Sequence, residues 1–140
     1  MEKLTKRLYS CQRALATLDE AVNMSFSVIV RDASIQRFEY SFESLWKLLK
    51  AHLEQHEGIR CHSPKRCFRE ALQVGLLSVE ETETCLVMTD DRNLTSHTYI
   101  EAIAEAIYRK LPSYLIVMRT LLANVRARTG LPTSSPGKIG

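Results

Sequence analysis

Long stretches of this chain repeat apolar residues at alternating steps of three and four. Such spacing lines up side chains on one face of an α-helix, because the helix has about 3.6 residues per turn. Two stripes run through residues 4–22 and 35–53. The longest stripe consists of Ile103, Ile107, Leu111, Leu115, Met118, Leu122 and Val125. With only 5 Gly and 4 Pro among 140 residues, the chain has little turn chemistry, which favours helices over a many-stranded β fold.

The second stripe predicts a long helix that starts near Asp32 or Ser34, either of which is a good capping residue. Residues 24–33 break the apolar pattern and are predicted to form a loop, since a lone strand would have no partner. Gly58 is the expected end of this helix. On its outer side Glu43 and Lys47 stand four apart, in the order that favours an ion pair.

Two shorter helices are predicted next. Residues 63–75 begin with Ser-Pro, which is typical of a helix start, and finish at a glycine. Ser78 and Glu81 form a capping-box pattern that opens a fourth, acidic helix reaching about Met88.

The last helix is predicted to open near Thr98, which pairs with Glu101 in a second capping-box pattern. Pro112 lies inside the apolar stripe and should kink or split this helix.

The whole pattern predicts an all-α, antiparallel four- or five-helix up-and-down bundle over residues 1–128. Residues 129–140, rich in Gly, Pro, Ser and Thr, are expected to be a flexible tail.

Charge and cysteine content narrow the class of protein. No apolar run approaches the roughly 20 residues that span a bilayer, and no signal peptide is visible. We therefore expect a cytoplasmic protein whose four cysteines are reduced, buried thiols.

The net charge of +3 is small. Residues 60–69 and 109–128 are basic and residues 78–91 acidic. Such segregation steers polyanions, although ordinary solvated helix faces explain it equally well.

The segment DDRNLTSHTY, residues 90–99, carries the candidate chemistry. It is a polar stretch predicted to lead into the positive end of the last helix, where backbone N–H groups favour phosphate. Arg92 is a permanent planar cation suited to phosphate oxygens. His97 exchanges a proton near neutral pH. Together they have the parts for RNA cleavage without a metal, with histidine as base and arginine stabilising charge on phosphorus.

The spacing of Arg92 and His97 is weak evidence by itself, because chance gives about 0.3 such pairs in a chain of this composition. A structural alternative is that Arg92 pairs with Asp90 or Asp91 and that His97 is simply a polar residue at a helix start. The spacing alone does not decide between the two interpretations.

Three separate motifs resemble one family. The segment 90–99 is similar to the signature of the nucleotidyltransferase substrate-binding proteins, a branch of the HEPN superfamily. Residues 35–43, IQRFEYSFE, followed by Trp46-Lys47, resemble the same family, as does SPKRCFREALQVGL at residues 63–76. The resemblance extends from about Asp32 to Leu122.

This resemblance implies a helical bundle that forms a homodimer and binds a minimal nucleotidyltransferase encoded by an adjacent gene. Related HEPN toxins are metal-independent ribonucleases with an Arg-x4-His-x-Tyr motif, which Arg92, His97 and Tyr99 match. In those toxins the partner enzyme attaches AMP to the tyrosine, so Tyr99 is the expected acceptor. The expected supporting residues are Asn93, Asp91 and Ser96.

Two functions follow from the resemblance: a toxin-type endoribonuclease, controlled by adenylylation of Tyr99, in a toxin–antitoxin-like gene pair, or a non-catalytic subunit that presents substrate to the transferase or scaffolds it. The chain is not expected to be the nucleotidyltransferase, because it lacks paired catalytic acids on a sheet. No cofactor or metal is expected. A weaker alternative is a metal site at His52, His56 and Cys61, whose spacing is permissive, with His62 and Cys67 close by.

Overall fold

The computed structural model describes residues 2–130, and all of its regular structure is helical, as the apolar stripes predict. The predicted tail lies outside the described residues from residue 131 onward. The five α-helices and one short 3₁₀ turn are α1 (Glu2–Val22), α2 (Val28–Glu57), α3 (Pro64–Gln73), α4 (Val79–Leu94), the turn Thr95–His97, and α5 (Glu101–Thr129).

Ion pairs between helices define the directions of the bundle. Arg31 at the start of α2 meets Glu101 at the start of α5, with Nη1 2.7 Å from Oε2. At the other end Arg128 of α5 meets Glu57 of α2 at 3.6 Å. Helices α2 and α5 therefore run side by side in the same direction, and α1 and α4 run the opposite way. The antiparallel four-helix arrangement is confirmed, and the short α3 packs along α4.

The predicted stripes form the core. In α2 every residue of the stripe is buried, and in α5 only Ile103 is partly exposed. Aromatic contacts connect α2 with both α3 and α5. Phe42 of α2 packs on Phe68 of α3 with centroids 6.0 Å apart. Phe38 stacks on Tyr114 of α5 at 5.6 Å. Each fully buried side chain of this size contributes about 1.5–3 kcal/mol.

The predicted loop at residues 24–33 was wrong in its second half, where α2 begins at Val28. Ser27 is the cap, and its Oγ accepts from the N–H of Val30 at 3.0 Å. Ser34 instead donates to the carbonyl of Val30 from inside the helix. β-Branched residues lower helix propensity only slightly, and the buried Arg31 ties this turn to α5.

The predicted boundary between α4 and α5 was also wrong. Helix α4 continues past Met88 to Leu94, and Thr98 does not cap α5 but donates to the carbonyl of Thr95 at 3.3 Å. Pro112 does not split α5, which is one helix from Glu101 to Thr129. The caps at Gly58, Ser63 and Ser78 are confirmed.

The expectation of four reduced thiols was wrong for two of them. Cys61 and Cys67 form a disulfide that ties the α2–α3 connection to the first turns of α3. Cys11 and Cys85 are free and buried, and burial raises the pKa of both thiols to about 12. Among residues 2–130 no helix combines the length and apolarity needed to cross a bilayer.

Candidate functional site

Arg92 lies in the last turn of α4, and His97 closes the 3₁₀ turn that follows. The sequence had placed this segment before the positive end of a helix. Because α4 is longer than predicted, Arg92 stands at a negative helix end instead, where a basic side chain is favoured by the dipole. The phosphate site proposed at the helix N-terminus is therefore not the setting of Arg92.

Two carboxylates of α2 hold Arg92. Its Nε lies 3.5 Å from Glu43 Oε2, and its Nη1 lies 3.7 Å from Glu39 Oε2. Nη1 also donates to the Thr95 hydroxyl at 3.1 Å, and that hydroxyl lies 3.0 Å from Glu39 Oε2. Neither Asp90 nor Asp91 forms an ion pair with Arg92 within the described chain, so the partners expected by the structural alternative are wrong, although Arg92 is indeed paired.

The guanidinium keeps one side available. A guanidinium carries five N–H donors, and within the described residues the Arg92 side chain donates a hydrogen bond only through Nη1, to Thr95. Arg92 remains 27% exposed. Its buried Nε is in ion-pair range of Glu43 but lacks hydrogen-bond geometry. The side chain is thus fixed from the α2 side, and Nη2 remains to contact an oxyanion.

His97 and Tyr99 form a second, more exposed group. The Tyr99 hydroxyl lies 3.4 Å from His97 Nδ1, and the two rings meet edge to face with centroids 5.9 Å apart. Tyr99 is 79% exposed. An imidazole this close to a solvent-facing phenol can accept its proton when the phenol reacts.

The three expected supporting residues lie in different environments. Asn93 and Ser96 are exposed. Asp91 is buried against α5, where its Oδ2 accepts from the Tyr114 hydroxyl and lies 2.9 Å from Lys110 Nζ. Burial raises the pKa of Tyr114, and the hydrogen bond to Asp91 adds to this increase. Asp91 therefore anchors the end of α4, which carries Arg92.

Glu39, Glu43 and Thr95 are site residues that the sequence interpretation missed. Glu43 was expected to pair with Lys47, but it contacts Arg92 and accepts from Trp46 Nε1 at 3.3 Å. The available signal was the i, i+4 spacing of the two glutamates, which puts both carboxylates on one helix face.

The alternative metal site is not assembled. Cys61 is bonded to Cys67 and offers no thiolate. His52 is buried and stacks on His56 with centroids 5.0 Å apart. Within residues 2–130 no three His, Cys, Asp or Glu side chains are grouped to hold a metal ion.

Comparison with known families supplies a match over most of the chain. Residues 6–127 match the family described as nucleotidyltransferase substrate binding protein like. A probable ribonuclease HepT from Haemophilus influenzae is 34% identical over 99 residues, covering 68% of this chain and 66% of that protein. The chain therefore spans slightly less than two thirds of this curated relative.

Two solved structures share the fold. A protein of Thermus thermophilus has 49% sequence identity and a TM-score of 0.81, covering 83% of this chain and 98% of that one. HI0074 of Haemophilus influenzae, described as a substrate binding domain of a nucleotidyltransferase, has 28% identity and a TM-score of 0.64. That match covers 89% of this chain and 98% of HI0074.

Proposed function

Since the chain belongs to the nucleotidyltransferase substrate binding protein family, we propose that it is the helical subunit of a two-gene, toxin–antitoxin-like module. Its partner is a minimal nucleotidyltransferase encoded by the adjacent gene, and the module acts in the cytoplasm. Within it this chain is a metal-independent endoribonuclease. The observation that carries the proposal is the setting of Arg92, which is held by Glu39 and Glu43 while Nη2 remains available.

The proposed reaction uses two residues of the motif. His97 takes the proton of a ribose 2′-hydroxyl, and the 2′-oxygen attacks the adjacent phosphorus. Arg92 stabilises the negative charge that develops on the phosphoryl oxygens. The bond from phosphorus to the 5′-oxygen breaks, leaving a 2′,3′-cyclic phosphate and a 5′-hydroxyl. A second acid must protonate the leaving oxygen, and His97 of the partner subunit supplies it in a homodimer.

Exposed apolar side chains support the homodimer. Phe26, Val28 and Ile29 are exposed where α1 turns into α2. Ile100 is exposed just before α5. The Arg31–Glu101 ion pair joins these two segments, so the apolar side chains lie at the end of the bundle that also carries Tyr99. A second copy seated on this end would bring two copies of the motif near each other.

Control by the partner enzyme centres on Tyr99. In the proposed step the Tyr99 oxygen attacks the α-phosphorus of ATP, pyrophosphate leaves, and His97 Nδ1 accepts the phenol proton. The exposure of Tyr99 and the 3.4 Å approach of His97 support this role. The added AMP would place a negative charge beside His97 and Arg92 and so repel RNA.

The second candidate is a non-catalytic subunit that binds substrate for the transferase. It is favoured by the description of HI0074 as a substrate binding domain of a nucleotidyltransferase. This role predicts a stable complex with the transferase and no cleavage of RNA.

An RNA-cleavage assay in excess EDTA separates the two candidates. The unmodified protein should cleave single-stranded RNA to cyclic-phosphate ends, and His97→Ala should abolish cleavage. His56→Ala is the matched control, because His56 is an exposed histidine at the far end of α2. Equal cleavage by all three proteins, or none by any, would refute the ribonuclease proposal, and complex formation without cleavage would favour the binding role.

A further inference from the structure

A basic pocket of about 350 Å³ lies between the first turns of α1 and the second half of α2. It is separate from the segment that contains His97 and Tyr99. Its lining residues are Lys3, Arg7, Trp46, Lys47, Lys50, Ala51, Glu54 and Gln55. Four cations and one carboxylate thus surround a single tryptophan.

Within residues 3–130 no ion pair neutralises the four cations of this basic pocket. Among the described residues none of Lys3, Arg7, Lys47 and Lys50 forms an ion pair, and these four unpaired cations line a single pocket. Like charges three or four residues apart on a helix repel one another, and both helices present such a pair here. The carboxylate that could have balanced Lys47, Glu43, is directed to Arg92. A bound anion would relieve this repulsion.

Trp46 gives the pocket a flat apolar wall. The ring is half-buried, and its Nε1 donates to Glu43 Oε1 at 3.3 Å, which fixes its orientation. Lys50 Nζ lies 5.8 Å from the ring centroid. Proteins that bind single-stranded nucleic acids stack bases on aromatic rings next to cations that contact the phosphates, and the same chemistry suits a single nucleotide. Glu43 also ties the ring to the ion pair that holds Arg92.

We propose that the basic pocket binds a free mononucleotide, with its phosphates on the four cations and its base against Trp46. The volume is at the small end of the range for ligand pockets, which suits one nucleotide rather than a strand. A triphosphate matches the four cations better than a monophosphate does. This site is independent of the ribonuclease proposal, because none of its lining residues belongs to the cleavage motif.

Intrinsic fluorescence tests the proposal directly, since Trp46 is the only tryptophan in the chain. The full-length protein is titrated with ATP, AMP, inorganic tripolyphosphate and a ten-nucleotide single-stranded RNA. We expect ATP to quench Trp46 and to bind at least tenfold more tightly than AMP, with tripolyphosphate competing. Absence of quenching by ATP, or quenching by the RNA alone, would overturn the mononucleotide site.

Paired charge-removing variants give the specificity control. Arg7→Gln and Lys47→Gln should each weaken ATP binding about tenfold, the loss of one charge-assisted contact. Lys6→Gln and Arg69→Gln remove the same charge from exposed positions outside the pocket, and their affinity should stay within about twofold of the parent. Equal losses in all four variants would show non-specific attraction and overturn the proposal. Circular dichroism tests whether each variant is folded, and RNA cleavage by the variants tests the ribonuclease proposal separately.

Discussion

Glu43 and Arg92 are joined across two helices, with Glu43 Oε2 3.5 Å from Arg92 Nε. The contact links the middle of α2 to the last turn of α4. The Glu43 carboxylate also accepts a hydrogen bond from Trp46 Nε1. Glu43 therefore orients the arginine proposed to contact phosphate while it fixes the wall of the basic pocket.

Replacing Glu43 tests its positioning role. We predict that Glu43→Ala lowers kcat for RNA cleavage about ten- to a hundredfold with a smaller change in KM, because a misplaced arginine loses transition-state contacts first. The free energy of unfolding should change by less than about 1 kcal/mol, since the pair is partly exposed. Glu83→Ala, an exposed glutamate of α4, is the matched control. Loss of kcat in both variants would contradict this role.

The buried His52 predicts a pH-dependent stability. Burial lowers its pKa, and the charges of His56 and Arg128 lower it further, against the opposing effect of Glu57. Both ring nitrogens lack hydrogen-bond partners in the described structure. The folded state therefore takes up a proton on His52 at a lower pH than the unfolded state, which does so near pH 6.5. The free energy of unfolding should therefore decrease as the pH falls from 7 to 5, by at most about 1.4 kcal/mol per pH unit.

The measurement is urea unfolding at several pH values for the parent, His52→Leu and His56→Asn. His52→Leu should flatten the slope between pH 7 and 5, because it removes the group that titrates on unfolding. His56→Asn should leave most of the slope unchanged, because His56 is exposed. An unchanged slope in His52→Leu would show that other groups dominate.

The Cys61–Cys67 disulfide closes a short loop, with a sequence separation of 6 residues. A loop of this length is expected to stabilise the fold by about 2 kcal/mol through the unfolded state. Reduction, or the double change Cys61→Ala with Cys67→Ala, should lower the thermal midpoint by several degrees. The double variant should no longer respond to reductant.

Thiol counting checks the pairing independently. Native protein should react with a thiol reagent slowly, since Cys11 and Cys85 are buried with raised pKa values. Denatured, unreduced protein should show two thiols, and reduced protein should show all four. Four thiols without reductant would mean that the disulfide does not form.

The exposed apolar end of the bundle predicts where the homodimer forms. Ile29 is 81% exposed at the start of α2. We expect Ile29→Glu to weaken dimerisation at least tenfold by sedimentation, because a buried charge without a partner is costly. The comparison is Ile116→Glu, an isoleucine 69% exposed on α5. Dissociation by Ile116→Glu alone would place the interface on α5 instead.

Helix class, core faces and most caps were readable in the sequence because they depend on local spacing. The stripe of α2 and the capping box of Ser78 with Glu81 need no information from distant residues, and both are confirmed. The start of α2 and the end of α4 were misplaced. In the structure Arg31 and Asp91 at these two places contact α5, which local spacing does not indicate. A broken apolar pattern suggested a loop before α2, and local polarity suggested one after Met88.

The candidate site also has a part that local sequence determines and a part that depends on the tertiary structure. The sequence by itself determined that Arg92, His97 and Tyr99 lie close together along the chain, and the family motif follows from that order. Only the tertiary structure decided that Glu39 and Glu43 hold Arg92 and that Trp46 shares Glu43. These partners are about fifty residues away from Arg92, and their approach depends on how α2 and α4 pack. The side-chain spacing within either helix does not indicate how the two helices pack.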